Sequence, residues 1–260
     1  MDETDREMKV LLTNDDGIAS PGLRALGLAI SGSHDVVLAA PRVEQSGISH
    51  AITIRGQLRT QVDESWPFPA HIVDGTPADC VRLGLRELCP DCELVCAGIN
   101  AGANLGRDKF YSGTIGAVLE AAISGVHAVA ISADTSRCEP DYRAIASSAS
   151  VLIGSLAQQP WNDRVAYSIN FPGHCSDGFL GLKVVPQGYE GFTDSFAPSL
   201  DRDGLVCYEI EGGEFPGQGA EEAFDALARG FVTLTPIQPD LTAGGSWNHL
   251  RKIRFEGAAQ

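Results

Sequence analysis

Met8-Lys-Val-Leu-Leu-Thr-Asn-Asp-Asp-Gly17 is the stretch on which the fold turns. Residues 8–13 are a short apolar run, the signature of a buried strand. Asn14-Asp15-Asp16-Gly17 breaks it. Ser20-Pro21 then opens a helix, because Ser caps free N–H groups and Pro is tolerated at the first helical position. Leu23, Leu26 and Ile30 follow at helical spacing. Strand, acidic turn and helix form the first unit of a β-α-β alternation.

The alternation continues outward. Asp35 to Ala40 reads as the next strand, stopped by Pro41, and Ala51 to Ile54 and Ala70 to Val73 read as further strands. Thr76-Pro77-Ala78-Asp79 repeats the helix-start chemistry, with Thr as cap and Asp three residues on, and Val81, Leu85 and Leu88 give that helix its stripe. Glu93 to Ala97 is strand-like. A glycine-rich loop is expected from Gly98 to about Tyr111, a helix from Ser112 to about Ser124, and a strand at Ala128 to Ser132. Such alternation predicts a mostly parallel sheet with helices on both faces.

The second half is less regular. Pro140 to Gln159 reads as a helix, Val165 to Asn170, Leu180 to Val185 and Leu205 to Ile210 as strands, and Glu221 to Arg229 as a helix. Phe231 to Thr235 reads as a strand ended by Pro236. Residues 188–219, rich in Gly, Pro, Phe and Tyr, read as an excursion for subunit contacts or as a hairpin packed on its own core. No linker divides the chain, so one domain is expected over 1–260: a tail at 1–7, an α/β core at 8–135 that holds the site, and a C-terminal part at 136–260 with a protruding hairpin.

Composition narrows the function. The 260 residues carry 34 acidic and 19 basic side chains, a formal net charge of -15, which argues against coating polymeric nucleic acid. A small anionic substrate stays open, because a bound cation reverses the local sign. The acidic start has no signal-peptide pattern and no apolar run reaches a membrane span, so a cytoplasmic protein away from membranes is expected. The seven cysteines read as thiols. Cys89-Pro-Asp-Cys92 has zinc-ligand spacing, but no second pair or paired His accompanies it. A helix end, a turn and, at Cys96, a buried strand account for these residues.

Three segments carry chemistry. Asp15 and Asp16 follow the first strand, where ligands bind in open α/β sheets, and adjacent carboxylates repel unless a cation or protons intervene. A local capping turn is the plainer reading. Pro41-x4-Ser46-Gly47-x-Ser49 puts hydroxyls on a glycine-containing loop after the second strand. Gly98-Ile-Asn100-Ala-Gly102-Ala-Asn104-Leu-Gly106-Arg-Asp108 disfavours a helix and suits close backbone approach to a ligand. Tyr111-Ser112-Gly113-Thr114 then opens a helix, whose free N–H groups attract anions. Asp15, Asp16, Ser46 and Asn100 are all oxygen donors after successive strands, a set that selects a hard cation such as Mg²⁺ or Mn²⁺.

Asn14-Asp-Asp-Gly17, Pro41-x3-Gln45-Ser-Gly-x-Ser49, Gly75-Thr-Pro-Ala-Asp-Cys80, Gly98-Ile-Asn-x-Gly-x-Asn-x-Gly-x-Asp108 and Tyr111-Ser-Gly-Thr114 occur in the order seen in SurE-type nucleotidases (survival protein E). Tyr167-Ser-Ile-Asn-Phe-Pro172 and Gly230-Phe-Val-Thr-Leu-Thr-Pro236 also resemble that family. The resemblance implies a three-layer α/β/α Rossmann-like fold with a C-terminal β-rich oligomerisation extension, in a homodimer or homotetramer. It implies hydrolysis of nucleoside 5′- and 3′-monophosphates with one divalent cation, Mg²⁺ or Mn²⁺. The implied metal ligands are Asp15, Asp16, Ser46 and Asn100, and the residues around the substrate phosphate are Asn104, Asp108, Ser112, Gly113 and Thr114.

Two other chemistries fit parts of the pattern. An aspartyl-phosphatase would use Asp15 as nucleophile, although such enzymes usually separate their two Asp by one residue. A regulatory module would bind nucleotide or metal without turnover. A dinucleotide oxidoreductase is disfavoured, because no GxGxxG follows the first strand. His50 lies near the Ser46 loop but reads as structural, and Phe179, Tyr189, Phe192 and Phe196 suit stacking on a base or, the favoured reading, filling a subunit interface.

Overall fold

The computed structural model describes residues 6–173, 178–212, 222–243, 250, 251 and 253. In chain order these form β1 (Lys9–Thr13), α1 (Pro21–Ile30), β2 (Asp35–Pro41), β3 (Thr60–Val62), β4 (Ala70–Val73), α2 (Pro77–Leu83), β5 (Leu94–Ala101), α3 (Gly113–Ile123), β6 (His127–Ala133), α4 (Tyr142–Ala157), β7 (Ala166–Phe171), β8 (Leu182–Val184), β9 (Ser195–Leu200), β10 (Val206–Glu211), α5 (Glu222–Ala228) and β11 (Val232–Ile237). A π-helical turn, Gly84–Leu88, extends α2, and a 3-10 turn, Gly106–Phe110, precedes α3.

Nine strands form one sheet in the order β3-β4-β2-β1-β5-β6-β7-β11-β8. β4 through β7 run parallel, whereas β3 and β11 each lie antiparallel to a neighbour. Alternation along β1 explains the layers. Val10 and Leu12 point to a core shared with α1 and α4 (Leu23, Leu26, Ile145, Ile153), and Leu11 points to one shared with α2 and α3 (Val81, Ile115, Val118). Each such side chain contributes about 1.5–3 kcal/mol on burial. The result is a three-layer α/β/α fold with a mostly parallel sheet, and strands from residues beyond 135 complete that same sheet.

Caps set the helix starts. Ser20 Oγ accepts from the Leu23 N–H, and Pro21 is the first helical residue. Thr76 and Asp79 form a reciprocal capping box. Gly84 packs against the Leu11 side chain where α2 gives way to the π turn, so Leu85 and Leu88 extend the stripe beyond the regular helix.

Some expectations need correction. Ala51–Ile54 is not a strand: the Thr53 N–H and hydroxyl both donate to the Asp79 carboxylate, at 2.9 and 2.7 Å, in place of a strand partner. Gly98 does not begin a loop, because β5 continues to Ala101 past a register slip between Ala97 and Asn100, a bulge of the kind found beside sites. β11 continues through Pro236 to Ile237. Its missing N–H faces the β8 side, where pairing has already ended at Leu234. β3 and β9 were not expected. Phe179, partly buried, packs edge-on to Phe171 at 5.1 Å against the main core.

β9 and β10 form a separate antiparallel hairpin that leaves Phe196, Leu200, Val206, Tyr208 and Ile210 exposed, so it does not pack on a core of its own. Among the described residues, no helix is long and apolar enough to cross a membrane. Residues 213–219 of the expected excursion, Glu221 at the expected helix start, and Cys175 lie outside the described residues.

Candidate active site

Three loops meet at the carboxyl edge of β2, β1 and β5. The turn after β1 is shaped from within: Asn14 Nδ2 donates to Gly17 O at 2.9 Å, and Gly17 takes φ +90°, a conformation glycine favours. A side chain at 17 would press on the backbone at Val43, so this glycine lets the post-β2 loop lie against the turn. Two backbone bonds fasten that loop, Ile18 N to Pro41 O at 2.9 Å and Gln45 N to Asp15 O at 2.7 Å. Ser46 stands one residue beyond this tie, and its hydroxyl donates to Glu44 Oε1 at 2.6 Å.

Asp15 is 4% exposed and points at the start of α3. Thr114 N donates to its Oδ2 at 3.0 Å, and the Thr114 hydroxyl donates to its Oδ1. Ser112 caps the same helix, its Oγ accepting from the Ile115 N–H at 3.2 Å. A glycine at 113 is required, because a Cβ there would sit 2.9 Å from the Asp15 Cβ. The positive end of α3 therefore faces a carboxylate. Asp16 looks to the other side, where its Oδ2 accepts from the Ala101 N–H at 3.1 Å. Next to it, Asn100 uses its Nδ2 to bond Gly102 O at 2.8 Å.

The electrostatics of the pair are uncompensated. Burial raises the Asp15 carboxyl above the usual carboxylate range, against the opposing pull of Thr114. Burial first, then the charges of Asp15 and Glu44, push Asp16 up to about 6. No Lys, Arg or His among the described residues forms an ion pair with either. Asn14 Oδ1 is buried with no hydrogen-bond partner among them. Paired carboxylates short of positive charge, beside an orphaned oxygen, fit a hard cation. No group of three His, Cys, Asp or Glu among the described residues could hold a metal, so any such ion relies on amide and hydroxyl oxygens as well. Cys89, Cys92 and Cys96 are free cysteines, in a helix end, a turn and a strand.

The other sequence-predicted residues divide. Gly113 and Thr114 pack on Asp15, as described. Asn104 is tied to strand ends: its N–H donates to Asn170 Oδ1 at 2.7 Å and its Nδ2 to Ser132 Oγ at 2.9 Å. Both Asp108 carboxylate oxygens accept from the Phe192 N–H at 3.1 Å, and Arg107 bonds Phe192 O, so this pair pins residues 190–192. His50 bonds Glu120 Oε2 at 2.9 Å. Glu44, Ser132 and Lys109 escaped the sequence reading. Glu44 could have been suspected from its place two residues before Ser46; nothing local marks the other two.

A parallel sheet flanked on both faces, with acidic and glycine-rich loops gathered at its carboxyl edge beside a helix N-terminus, defines a Rossmann-like α/β protein with a built ligand edge. The chain belongs to the survival protein SurE family, whose model matches residues 10–194. It is 41% identical over 258 residues to the 5′-nucleotidase SurE 1 of Thermus thermophilus, covering 97% of this chain and 100% of that one. It is 40% identical over 242 residues to the 5′-nucleotidase SurE of Deinococcus radiodurans, covering 90% and 88%. The crystal structure of the SurE protein from Aquifex aeolicus superposes with a TM-score of 0.82 at 33% identity, covering 94% of this chain and 98% of that chain.

Proposed function

We propose that this protein is a metal-dependent phosphomonoesterase that releases phosphate from nucleoside 5′- and 3′-monophosphates. The single observation that carries the reading is the uncompensated Asp15–Asp16 pair, set against the first turn of α3. The relatives named 5′-nucleotidase supply the substrate class. Asp15, Asp16, Ser46 and Asn100 would hold one Mg²⁺ or Mn²⁺. Such an ion, when bound, offsets charge on the phosphoryl group and makes a water more acidic.

The chain's own residues do the remaining work. The acidic turn and the post-β2 loop hold the ligand oxygens in place through the Gln45 and Ala101 backbone bonds. Ser112 offers a hydroxyl at the mouth of α3, and Asn104 and Asp108 brace the loop leading to it. Asp16 accepts from the Ala101 N–H through one oxygen only, whereas Thr114 engages both oxygens of Asp15, so Asp16 has the freer carboxylate to take a proton from an attacking water. Asp15 is a poor nucleophile, because Thr114 engages both of its oxygens. This favours water attack over an aspartyl-phosphate.

The wider reading follows the same lines. The apolar residues exposed on the β9–β10 hairpin support a homodimer or homotetramer. The net charge of -15 supports small nucleotides over polymeric nucleic acid. A cytoplasmic location belongs to this proposal too.

The test is a phosphate-release panel over nucleoside 5′- and 3′-monophosphates with Mg²⁺, Mn²⁺ or EDTA. Release that EDTA abolishes and either cation restores is expected. Tight nucleotide binding without release under every condition would make the protein a binding module instead, and a trapped phospho-aspartate would restore the covalent mechanism.

A further inference from the structure

A cavity of about 560 Å³ runs along the outer side of α3, from Ser112 past Ile115 and Leu119 to the end of β11. Its size suits a nucleotide-sized molecule. It adjoins the candidate active site through two residues. Ser112 caps the helix whose first turn holds Asp15, and Ser49 lies three residues beyond Ser46. Ser49 is fixed to the other wall by its N–H to Tyr111 O at 2.9 Å and its hydroxyl to Phe110 O at 2.6 Å.

Lys109 lines this cavity and is 4% exposed, and its Nζ has no hydrogen-bond partner among the described residues. A buried ammonium without an acceptor is costly. Burial pushes it down to about 8, opposed by the Asp108 charge, so it remains mostly a cation at neutral pH. His50, also in the wall, is engaged by Glu120. Asp240 on the rim accepts from the Thr242 N–H at 2.8 Å. Nothing that the proposed phosphate release requires accounts for a cation at position 109.

We infer that this cavity receives the leaving nucleoside and that Lys109 pairs there with a second phosphate carried on it, so that nucleoside bisphosphates are preferred substrates. The inference rests on the nucleotidase reading and deepens it. The apolar side of α3 would take the nucleoside, while the ammonium, turned into the cavity by a rotation of the Lys109 side chain, supplies the charge-assisted contact that a monophosphate leaves unused.

The test compares phosphate release by the full chain with Mn²⁺ from adenosine 3′,5′-bisphosphate and from the 5′- and 3′-monophosphates, in the wild type, Lys109→Met and Lys109→Arg. The wild type is expected to favour the bisphosphate by about tenfold or more in kcat/KM, mainly through KM, the scale of one charged contact. Lys109→Met should bring the ratio near one, and Lys109→Arg should retain most of it. A wild-type ratio near one overturns the inference, whether or not the variants fold, and so does a Lys109→Met enzyme with the wild-type ratio. Inorganic phosphate that raises the monophosphate rate to the bisphosphate level would assign the cavity to a free anion and contradict a substrate-borne one. Monophosphate turnover without discrimination defeats this inference alone, whereas no release from any nucleotide defeats the nucleotidase reading and this inference with it.

Discussion

Thr114 grips Asp15 with both of its donors: the backbone N–H reaches Oδ2 at 3.0 Å and the hydroxyl reaches Oδ1. The turn after β1 and the first turn of α3, 99 residues apart in sequence, are thereby one unit. Thr114→Val keeps the shape and the amide but deprives a buried carboxylate oxygen of its donor. A loss of about 1–3 kcal/mol in urea unfolding is expected. Phosphate release should fall by roughly tenfold or more, since a displaced carboxylate misaligns the site. Unchanged stability and turnover would show that the hydroxyl bond does not position Asp15.

Asp16 is held at a cost to the fold. Its folded pKa of about 6 lies above the ordinary 3.8, so the folded state binds the proton more tightly than the unfolded one. The penalty is absent below the unfolded value, grows as pH rises toward 6, and is fully present above that. Asp16→Asn removes it. Without added metal at pH 7 the variant should be more stable by on the order of 1–2 kcal/mol, after allowance for partial exposure. That corresponds to a few degrees in Tm. At pH 4 the gain should nearly vanish, while catalytic release is lost throughout. Calorimetry at both pH values checks this; a destabilised variant at pH 7 would contradict it.

Gly116 is where the post-β2 loop rests on α3. A Cβ there would stand 2.5 Å from Ser49 O and 3.0 Å from His50 Cα. Gly116→Ala should therefore lift the segment that carries Ser46 and Ser49. The expected result is a modest stability loss of about 1–3 kcal/mol, as for other overpacked sites, with a disproportionate rise in the Mn²⁺ concentration needed for half-maximal release. A normal metal requirement would show that the loop does not contribute a ligand.

The sequence was most legible where structure is set locally. Ser20-Pro21 and Thr76-Pro77 announced their helices because capping needs only three or four neighbouring residues. The alternation of Val10, Leu11 and Leu12 between two cores likewise showed as an apolar run. Non-local partners were hidden. Thr53 looked like a strand residue, yet its backbone bonds to Asp79, 26 residues away. β3 is an edge strand with all three residues exposed, so no apolar pattern marks it. β9 contains Pro198, a residue that argues against a strand, and is exposed along most of its length. At the site, the acidic turn and the loop glycines were visible as motifs, whereas the charge that Glu44 exerts on Asp16 and the Asn104–Asn170 bonds depend on strand order.

One measurement bears most directly on the claim that four oxygen-bearing side chains hold a single hard cation: anomalous X-ray diffraction from crystals of the protein soaked in Mn²⁺. One strong peak is expected within coordination distance, about 2.0–2.6 Å, of oxygens from Asp15, Asp16, Ser46 and Asn100. A peak elsewhere, or a fully loaded crystal with no peak among these four residues, would contradict it.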